Sequence, residues 1–187
     1  MKRTITLLSL VLLAALALAA CSPAEPVGDA WESHEYQNLG VNFELPADWA
    51  VQESEQLINI ANSSEGLDGE TIPEAGATIT LVSTDDFDGY SDPRDLLGFF
   101  MDYFEYGRED ELERLGDPEM LTIQDLPAAT VAYDGTVRGQ TGRYTATIIV
   151  NGEHVALVFT LDSSPDRQHE ETFDRFTKSV YVYAPAQ

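Results

Sequence analysis

Alternation of apolar and polar residues predicts β-strands along most of the chain. Val41, Phe43 and Leu45 stand at every second position with polar residues between them, which is the period of a half-buried strand, and Pro46 ends the run. We therefore expect an antiparallel meander up to residue 83. Further strands are predicted near residues 49–52, 57–62, 77–83, 121–123 and 129–133. Asp134-Gly135 is the predicted turn after the last of them.

A first helix is predicted to begin at Pro93. Asp92 can accept backbone N–H bonds as its N-cap, and proline suits the first helical position because no donor is needed there. We expect the apolar stripe that follows to pack against a sheet, and a ligand-binding aromatic surface is the alternative. The stripe consists of Leu96, Phe99, Phe100, Tyr103 and Phe104.

The segment Asn151-Gly152 lies between two runs of β-forming residues and is the signature of a type I′ hairpin. If these two residues form the turn, Val150 faces Glu153 and Tyr144 faces Phe159. One face of the hairpin is then apolar and can be buried. The other face is mixed and could be partly covered by a helix; its pairs are Thr145 with Val158, Thr147 with Ala156, and Ile149 with His154.

A second helix is predicted to begin at Ser164-Pro165-Asp166, where the sequence repeats the pattern of the first helix start. Its buried stripe is Phe173, Phe176 and Val180, and a short extended tail follows at residues 181–183. Mostly antiparallel strands with two helices inserted late predict a single α+β domain. We place this domain at residues 35–183.

The amino terminus has the layout of a signal peptide. Lys2 and Arg3 precede an apolar run that ends in small residues, and the run is too short for a typical membrane span. The segment Leu18-Ala19-Ala20-Cys21 then resembles the bacterial lipobox. The resemblance implies removal of residues 1–20 and a diacylglyceryl group on Cys21, with residues 22–34 as a flexible tether. The alternative is an ordinary signal peptide beside which Cys21 stands by chance.

The charge of the chain restricts its partners. Lys2 and Arg3 are the only basic residues in the first 20, so eight of the 10 Lys and Arg residues remain afterwards against 33 Asp and Glu residues, a formal charge of −25. Such a surface repels nucleic acid and anionic lipid heads, and we expect no nucleic-acid partner. The acidity itself has three open explanations: attraction of cations or a basic partner, adaptation to salt, and solubility.

The sequence contains no recognisable catalytic constellation. His34, His154 and His169 are predicted to lie in the tether, a strand and a helix, without the spacing of metal ligands. No nucleophile elbow, phosphate-binding loop or dinucleotide fingerprint is present, and Cys21 is the only cysteine. We therefore expect neither an enzyme nor a bound cofactor.

One acidic stretch, residues 85–95, is a candidate metal site. Asp86, Asp88 and Asp92 surround a glycine and resemble part of a calcium loop. The pattern is broken at both ends, because the first ligand position would be Thr84 and the twelfth would be Asp95 in place of glutamate. The alternative is a strand-to-helix loop whose aspartates cap the helix that begins at Pro93.

Three segments together resemble PsbP-like proteins. They are Gly40 to Trp49 (GVNFELPADW), Asp125 to Ala129 (DLPAA) and Phe173 to Val180 (FDRFTKSV), with Asp125 standing where that family has glycine. The resemblance implies an antiparallel sheet between helices, the fold of photosystem II PsbP, the Mog-type Ran-binding protein and many bacterial lipoproteins. The members that are understood bind or stabilise protein partners and are not enzymes. The matching positions are core and turn positions, so no binding residue is carried over.

Two functions follow as hypotheses. The first is a membrane-tethered extracytoplasmic lipoprotein that is not catalytic and binds or stabilises an envelope protein. The second is a calcium or small-ligand binding module that uses the acidic stretch at residues 85–95.

Overall fold

Antiparallel strands dominate the computed structural model, as the alternating pattern predicts. The structure describes residues 30–67, 72–87, 89–105, 111–137 and 139–186, without the side chains of residues 103–105 and 111. Residues from Trp31 onward form one compact unit. The predicted signal peptide, Cys21 and the tether up to residue 29 lie outside the described residues, as does Asp88.

The strands and helices have the following bounds. The early strands are β1 (Trp31–Tyr36), β2 (Val41–Pro46), β3 (Ala50–Glu53), β4 (Leu57–Ala61) and β5 (Ala75–Ser83). Helix α1 (Pro93–Glu105) is followed by β6 (Glu111–Arg114), β7 (Glu119–Ile123), β8 (Leu126–Val137), β9 (Gln140–Asn151) and β10 (His154–Asp162). Helix α2 (Glu170–Ser179) and β11 (Tyr181–Val182) complete the fold.

Two antiparallel sheets result from the pairing of these strands. The large sheet has the order β3-β4-β5-β10-β9-β8-β6, and β7 pairs with the same edge of β8 as β6 does. The small sheet has the order β1-β2-β11. Gly40 permits its closure, because its φ is +71° and an added Cβ would lie 2.1 Å from the Tyr183 carbonyl oxygen.

The large sheet lies between two layers. One face packs against α1 through Leu96, Leu97 and Met101. The opposite face packs against α2 and the small sheet, where Phe176 meets Phe43 edge-on at a ring distance of 5.7 Å. This is the α+β sandwich that the sequence predicts, with Phe173, Phe176 and Val180 buried as expected. Among the described residues, no helix is long and apolar enough to cross a membrane.

The hairpin between β9 and β10 differs from its predicted register by two residues. Val150 pairs with Val155 instead of Glu153, and Tyr144 pairs with Leu161 instead of Phe159. The turn residues are therefore Gly152 and Glu153. Gly152, with φ of +61°, is the first of them and Glu153 has a negative φ, which is the type II′ pattern. A shift of two residues leaves every side chain on its predicted face, because the side-chain period of a strand is also two.

Three element boundaries also differ from prediction, in each case because contacts distant in the chain outweigh local pattern. The region expected to be tether already forms β1 from Trp31, whose ring lies beneath the Arg175 guanidinium at 3.9 Å. Strand β8 continues through Asp134-Gly135, since β6 and β9 pair with it there on both sides. Residues 165–167 form a 3₁₀ turn, and α2 begins only at Glu170.

Candidate functional site

An exposed group of aromatic rings lies beside the start of α1, and we call it the aromatic surface. It consists of Phe87, Tyr90, Phe99 and Phe100. The ring of Phe87 contacts those of Phe99 and Phe100 edge-on, at centroid distances of 5.3 and 5.2 Å. Phe99 is 62% exposed and Tyr90 is 58% exposed, whereas the other two rings are half-buried. The larger part of two aromatic side chains therefore faces solvent.

The prediction that Phe99 belongs to the core face of α1 is wrong. The sheet-facing side chains of this helix are Leu96, Leu97 and Met101, which are at most 5% exposed. Their spacing turns the contact face toward positions 97 and 101, so that Phe99 lies on the flank of the helix. The aromatic-surface alternative fits this residue. The side chains of Tyr103 and Phe104, also assigned to that stripe, lie outside the described ones.

Local backbone bonds hold the aromatic surface in place. A 3₁₀ turn at Thr84–Phe87 follows β5, and its Thr84 is buried and donates its backbone N–H to Glu153 O at 3.0 Å. The Tyr90 backbone N–H donates to Phe87 O at 3.0 Å, which holds the two residues in a turn. Asp92 Oδ1 then accepts the Arg94 N–H at 2.8 Å as the cap of α1. The two aromatic segments are thus joined by a short, hydrogen-bonded connection.

Carboxylates surround the aromatic surface. Asp85, Asp86, Asp92, Asp95 and Asp102 are all exposed on the turn, the connection and the helix that carry the rings. They outnumber Arg94, the basic residue of the same described segments, so this rim of carboxylates gives the aromatic surface a negative potential.

In the acidic stretch, two of the three predicted metal ligands accept hydrogen bonds from backbone N–H groups. Asp86 Oδ2 accepts the Ser83 N–H at 3.0 Å, and Asp92 caps α1. Within the described ranges, no group of three or more His, Cys, Asp or Glu side chains is arranged to hold a metal ion. Because Asp88 lies outside those ranges, calcium binding here stays a prediction. Its test is a calcium-specific rise in Tm that matched ionic strength does not reproduce and that Asp88→Ala removes.

The three histidines lie in separate parts of the fold, where two of their rings pack against other aromatic rings. His34 lies in β1, not in the tether, and its ring stacks on Phe43 at 5.5 Å. His169 immediately precedes α2, where its ring meets Trp49 at 5.7 Å and its backbone N–H donates to Asp162 Oδ2 at 3.0 Å. His154 directly follows the hairpin turn and begins β10. Each ring thus belongs to a different part of the fold.

An ion cluster lies at the opposite side of the sheet, where β8, β9 and the β10–α2 loop meet. Arg143 donates to both carboxylate oxygens of Asp134 at 2.5 and 3.1 Å, and Arg167 reaches the same carboxylate at 3.1 Å. The hydrogen bond from Arg143 and the charges of the two guanidinium groups lower the pKa of Asp134. The same hydrogen bond, with the charges of Asp134 and Glu170, raises the pKa of Arg143. Sequence reasoning missed this cluster because its members are distant in the chain.

Comparisons with known proteins identify the fold. No protein-family model and no curated protein sequence matches the chain. The solution structure of cyanobacterial PsbP (CyanoP) from Synechocystis sp. PCC 6803 is similar at 15% identity and a TM-score of 0.59, over 87% of this chain and 97% of that one. The chain therefore has the PsbP-like fold, which confirms the resemblance stated from the sequence.

Two further solved structures share the fold at low identity. LpqN of Mycobacterium tuberculosis, described as involved in cell envelope biogenesis, matches at 14% identity and a TM-score of 0.50, over 83% of this chain and 91% of that one. A Pseudomonas aeruginosa protein of unknown function, PA94, matches at 13% identity and a TM-score of 0.51, over 83% and 99% of the two chains.

Proposed function

We propose that this chain is a membrane-tethered extracytoplasmic lipoprotein without catalytic activity, and that its PsbP-like domain binds an envelope protein through the aromatic surface. The observation that carries the proposal is the exposure of Phe99, whose ring contacts those of Phe87 and Phe100, together with the exposure of Tyr90 three residues after Phe87. Large exposed aromatic side chains are enriched in protein interfaces, where they supply most of the binding energy. The similarity to LpqN, a protein described as involved in cell envelope biogenesis, supports a role in the envelope.

The rim of carboxylates indicates the chemistry of the partner. Its surface has an apolar socket for the rings of Phe99 and Tyr90, with lysine or arginine side chains around it. Because these charges lie at the rim, they raise the association rate more than they raise the affinity. Binding should weaken as the salt concentration rises, since rim charges are screened over about 10 Å at 0.1 M salt.

Site-specific photo-crosslinking tests the interface in living cells. A photoreactive amino acid at position 99 or 90 should give a discrete adduct with an envelope protein. The matched control is position 181, because Tyr181 is also an exposed aromatic residue, at 37%, but lies on the small sheet. Charge reversal by Asp95→Lys with Asp102→Lys should reduce the adduct severalfold. Equal yields from all three positions, or no effect of charge reversal, would contradict the proposal.

The tether has its own test. Cys21 is expected to carry the acyl chains, and at about 0.8 kcal/mol per buried methylene two or three chains hold a protein on a bilayer. Metabolic labelling with radioactive palmitate should therefore mark the wild-type chain and leave Cys21→Ser unmarked, and Cys21→Ser should leave the membrane fraction. Retention of an unlabelled Cys21→Ser chain on the membrane would argue for a different anchor.

A further inference from the structure

A cavity of about 220 Å³ lies between α2 and the large sheet, on the face opposite the aromatic surface. We call it the threonine cavity, because Thr130, Thr145, Thr147 and Thr160 form its floor. Helix α2 packs its Phe173 and Phe176 toward the β5–β10 side of the sheet, so that part of β8 and β9 is left open beside the helix. The cavity is smaller than the roughly 300–1,000 Å³ of pockets that hold drug-sized ligands, which restricts it to a small molecule.

The floor of the cavity carries four hydroxyl groups. Thr130 Oγ1 and Thr147 Oγ1 lie 2.8 Å apart and hydrogen-bond each other. Thr145 and Thr160 line the same floor, and Thr160 is only 5% exposed. A threonine hydroxyl can both donate and accept, so these side chains can bond either polar group of a molecule in the cavity.

One end of the cavity is charged with both signs. Arg143 and Arg167 line it, and both are fixed by Asp134 in the adjoining groove. Glu170, at the first turn of α2, supplies a carboxylate to the same end. Asp162 also lines it, but its oxygens already accept bonds from the backbone N–H groups of residues 164 and 169 and from the hydroxyl of residue 164.

The other end of the cavity is more apolar. Leu121 and Ile123 of β7 line it, and Phe173 lies on the helix side. Lys178 closes this end, where it pairs with Asp174 at 2.8 Å, one turn earlier on α2. The cavity thus has an apolar wall as well as a charged end.

The lining of the cavity carries charges of both signs. Arg143, Arg167 and Lys178 are three of the six basic residues in the described ranges, so cations are concentrated here on a strongly acidic chain. Three carboxylates line the same cavity. Asp134 and Asp174 already pair with these basic side chains, so a zwitterion, which adds no net charge, suits this lining better than a ligand of one sign.

We propose that the threonine cavity binds a free α-amino acid with an apolar side chain. Its carboxylate lies toward Arg143 and Arg167, and its ammonium group lies toward Glu170. The Thr145 and Thr160 hydroxyls bond the polar groups of the ligand, and its side chain lies along Leu121, Ile123 and Phe173. This site is independent of the aromatic surface, so that either proposal can fail alone.

The test is calorimetric titration and thermal unfolding of the full chain with each of the twenty L-α-amino acids at millimolar concentration. We expect an apolar amino acid such as leucine to raise the Tm in a saturable way. Two analogues of leucine separate the charges: 4-methylpentanoate lacks the ammonium group, and 3-methylbutylamine lacks the carboxylate. Both should bind at least tenfold more weakly than leucine. Binding of either analogue as tightly as leucine, or binding of none of the twenty amino acids, would overturn the proposal.

A threonine pair supplies the matched variants. Thr160→Val keeps the shape of the side chain but removes the hydroxyl, and it should weaken binding of the amino acid about fivefold. Thr80→Val makes the same change in β5, on the opposite face of the sheet, and should leave binding unaltered. Equal affinities of these two variants would show that the Thr160 hydroxyl has no role in the cavity. If Thr160→Val lowers the Tm of the free chain severely, Thr145→Val replaces it as the test.

Discussion

Two glycines of this chain should respond oppositely to the same substitution. Gly142, in β9, lies against the β10–α2 loop that borders the ion cluster. An added Cβ would lie 2.6 Å from the Asp162 carbonyl oxygen and 3.0 Å from the Ser163 Cα. Both neighbours are backbone atoms, so no side chain can rotate away. Gly142→Ala must therefore displace the strand or the loop.

The magnitude follows from two opposing effects. Overpacking of this kind costs about 1–3 kcal/mol, and the lower entropy of the unfolded chain with alanine returns about 0.4–1 kcal/mol. We expect a net loss of about 1–2 kcal/mol for Gly142→Ala, which corresponds to a fall in Tm of roughly 2–8 °C for a domain of this size.

The matched control is Gly98→Ala in the middle of α1. An added Cβ there has no atom within 4 Å, and alanine stabilises a helix interior by about 0.5–1 kcal/mol relative to glycine. This variant should therefore raise the Tm by roughly 1–4 °C. Urea denaturation of both variants, with equal m-values required, measures the two changes. A neutral or stabilising Gly142→Ala would refute the close backbone approach at Asp162.

Three further outcomes are expected from the packing, the helix cap and the ion cluster. Phe176→Ala removes a fully buried ring that contacts Phe43 and should lower the free energy of unfolding by about 3–5 kcal/mol; a loss below 1 kcal/mol in urea would place this ring outside the core. Asp92→Ala should cost about 1 kcal/mol through loss of the α1 cap, and unchanged helical circular dichroism melting would argue against that cap. The lowered pKa of Asp134 stabilises the fold above its unfolded pKa of about 3.9, and this contribution is lost as the pH falls through the lower folded pKa. The difference in free energy of unfolding between wild type and Asp134→Asn should thus reach its maximum above pH 5 and shrink toward pH 2. For this exposed carboxylate the maximum is at most about 1 kcal/mol. A difference independent of pH would mean that the charge of Asp134 is not involved.

Local sequence determined the elements whose signals are short-range. Asp92-Pro93 marks the start of α1 because a cap and a first-turn proline act within a few residues. Alternation in β9 and β10 determined which side chains share a face, since strand period is independent of turn type. The buried stripe of Phe173, Phe176 and Val180 followed from helical spacing alone.

Tertiary structure decided the features on which the two proposals depend. Phe99 is exposed because α1 packs on the sheet through Leu96, Leu97 and Met101. The spacing of apolar residues in the sequence does not determine which of these faces packs. The threonine cavity exists because the pairing of β8, β9 and β10 brings together threonines up to 30 positions apart, and because α2 covers only part of their face. Sequence periodicity predicts which side chains lie on the same face of one helix or strand. Which neighbouring layer covers that face, and which part stays open, depends on contacts between segments distant in the chain.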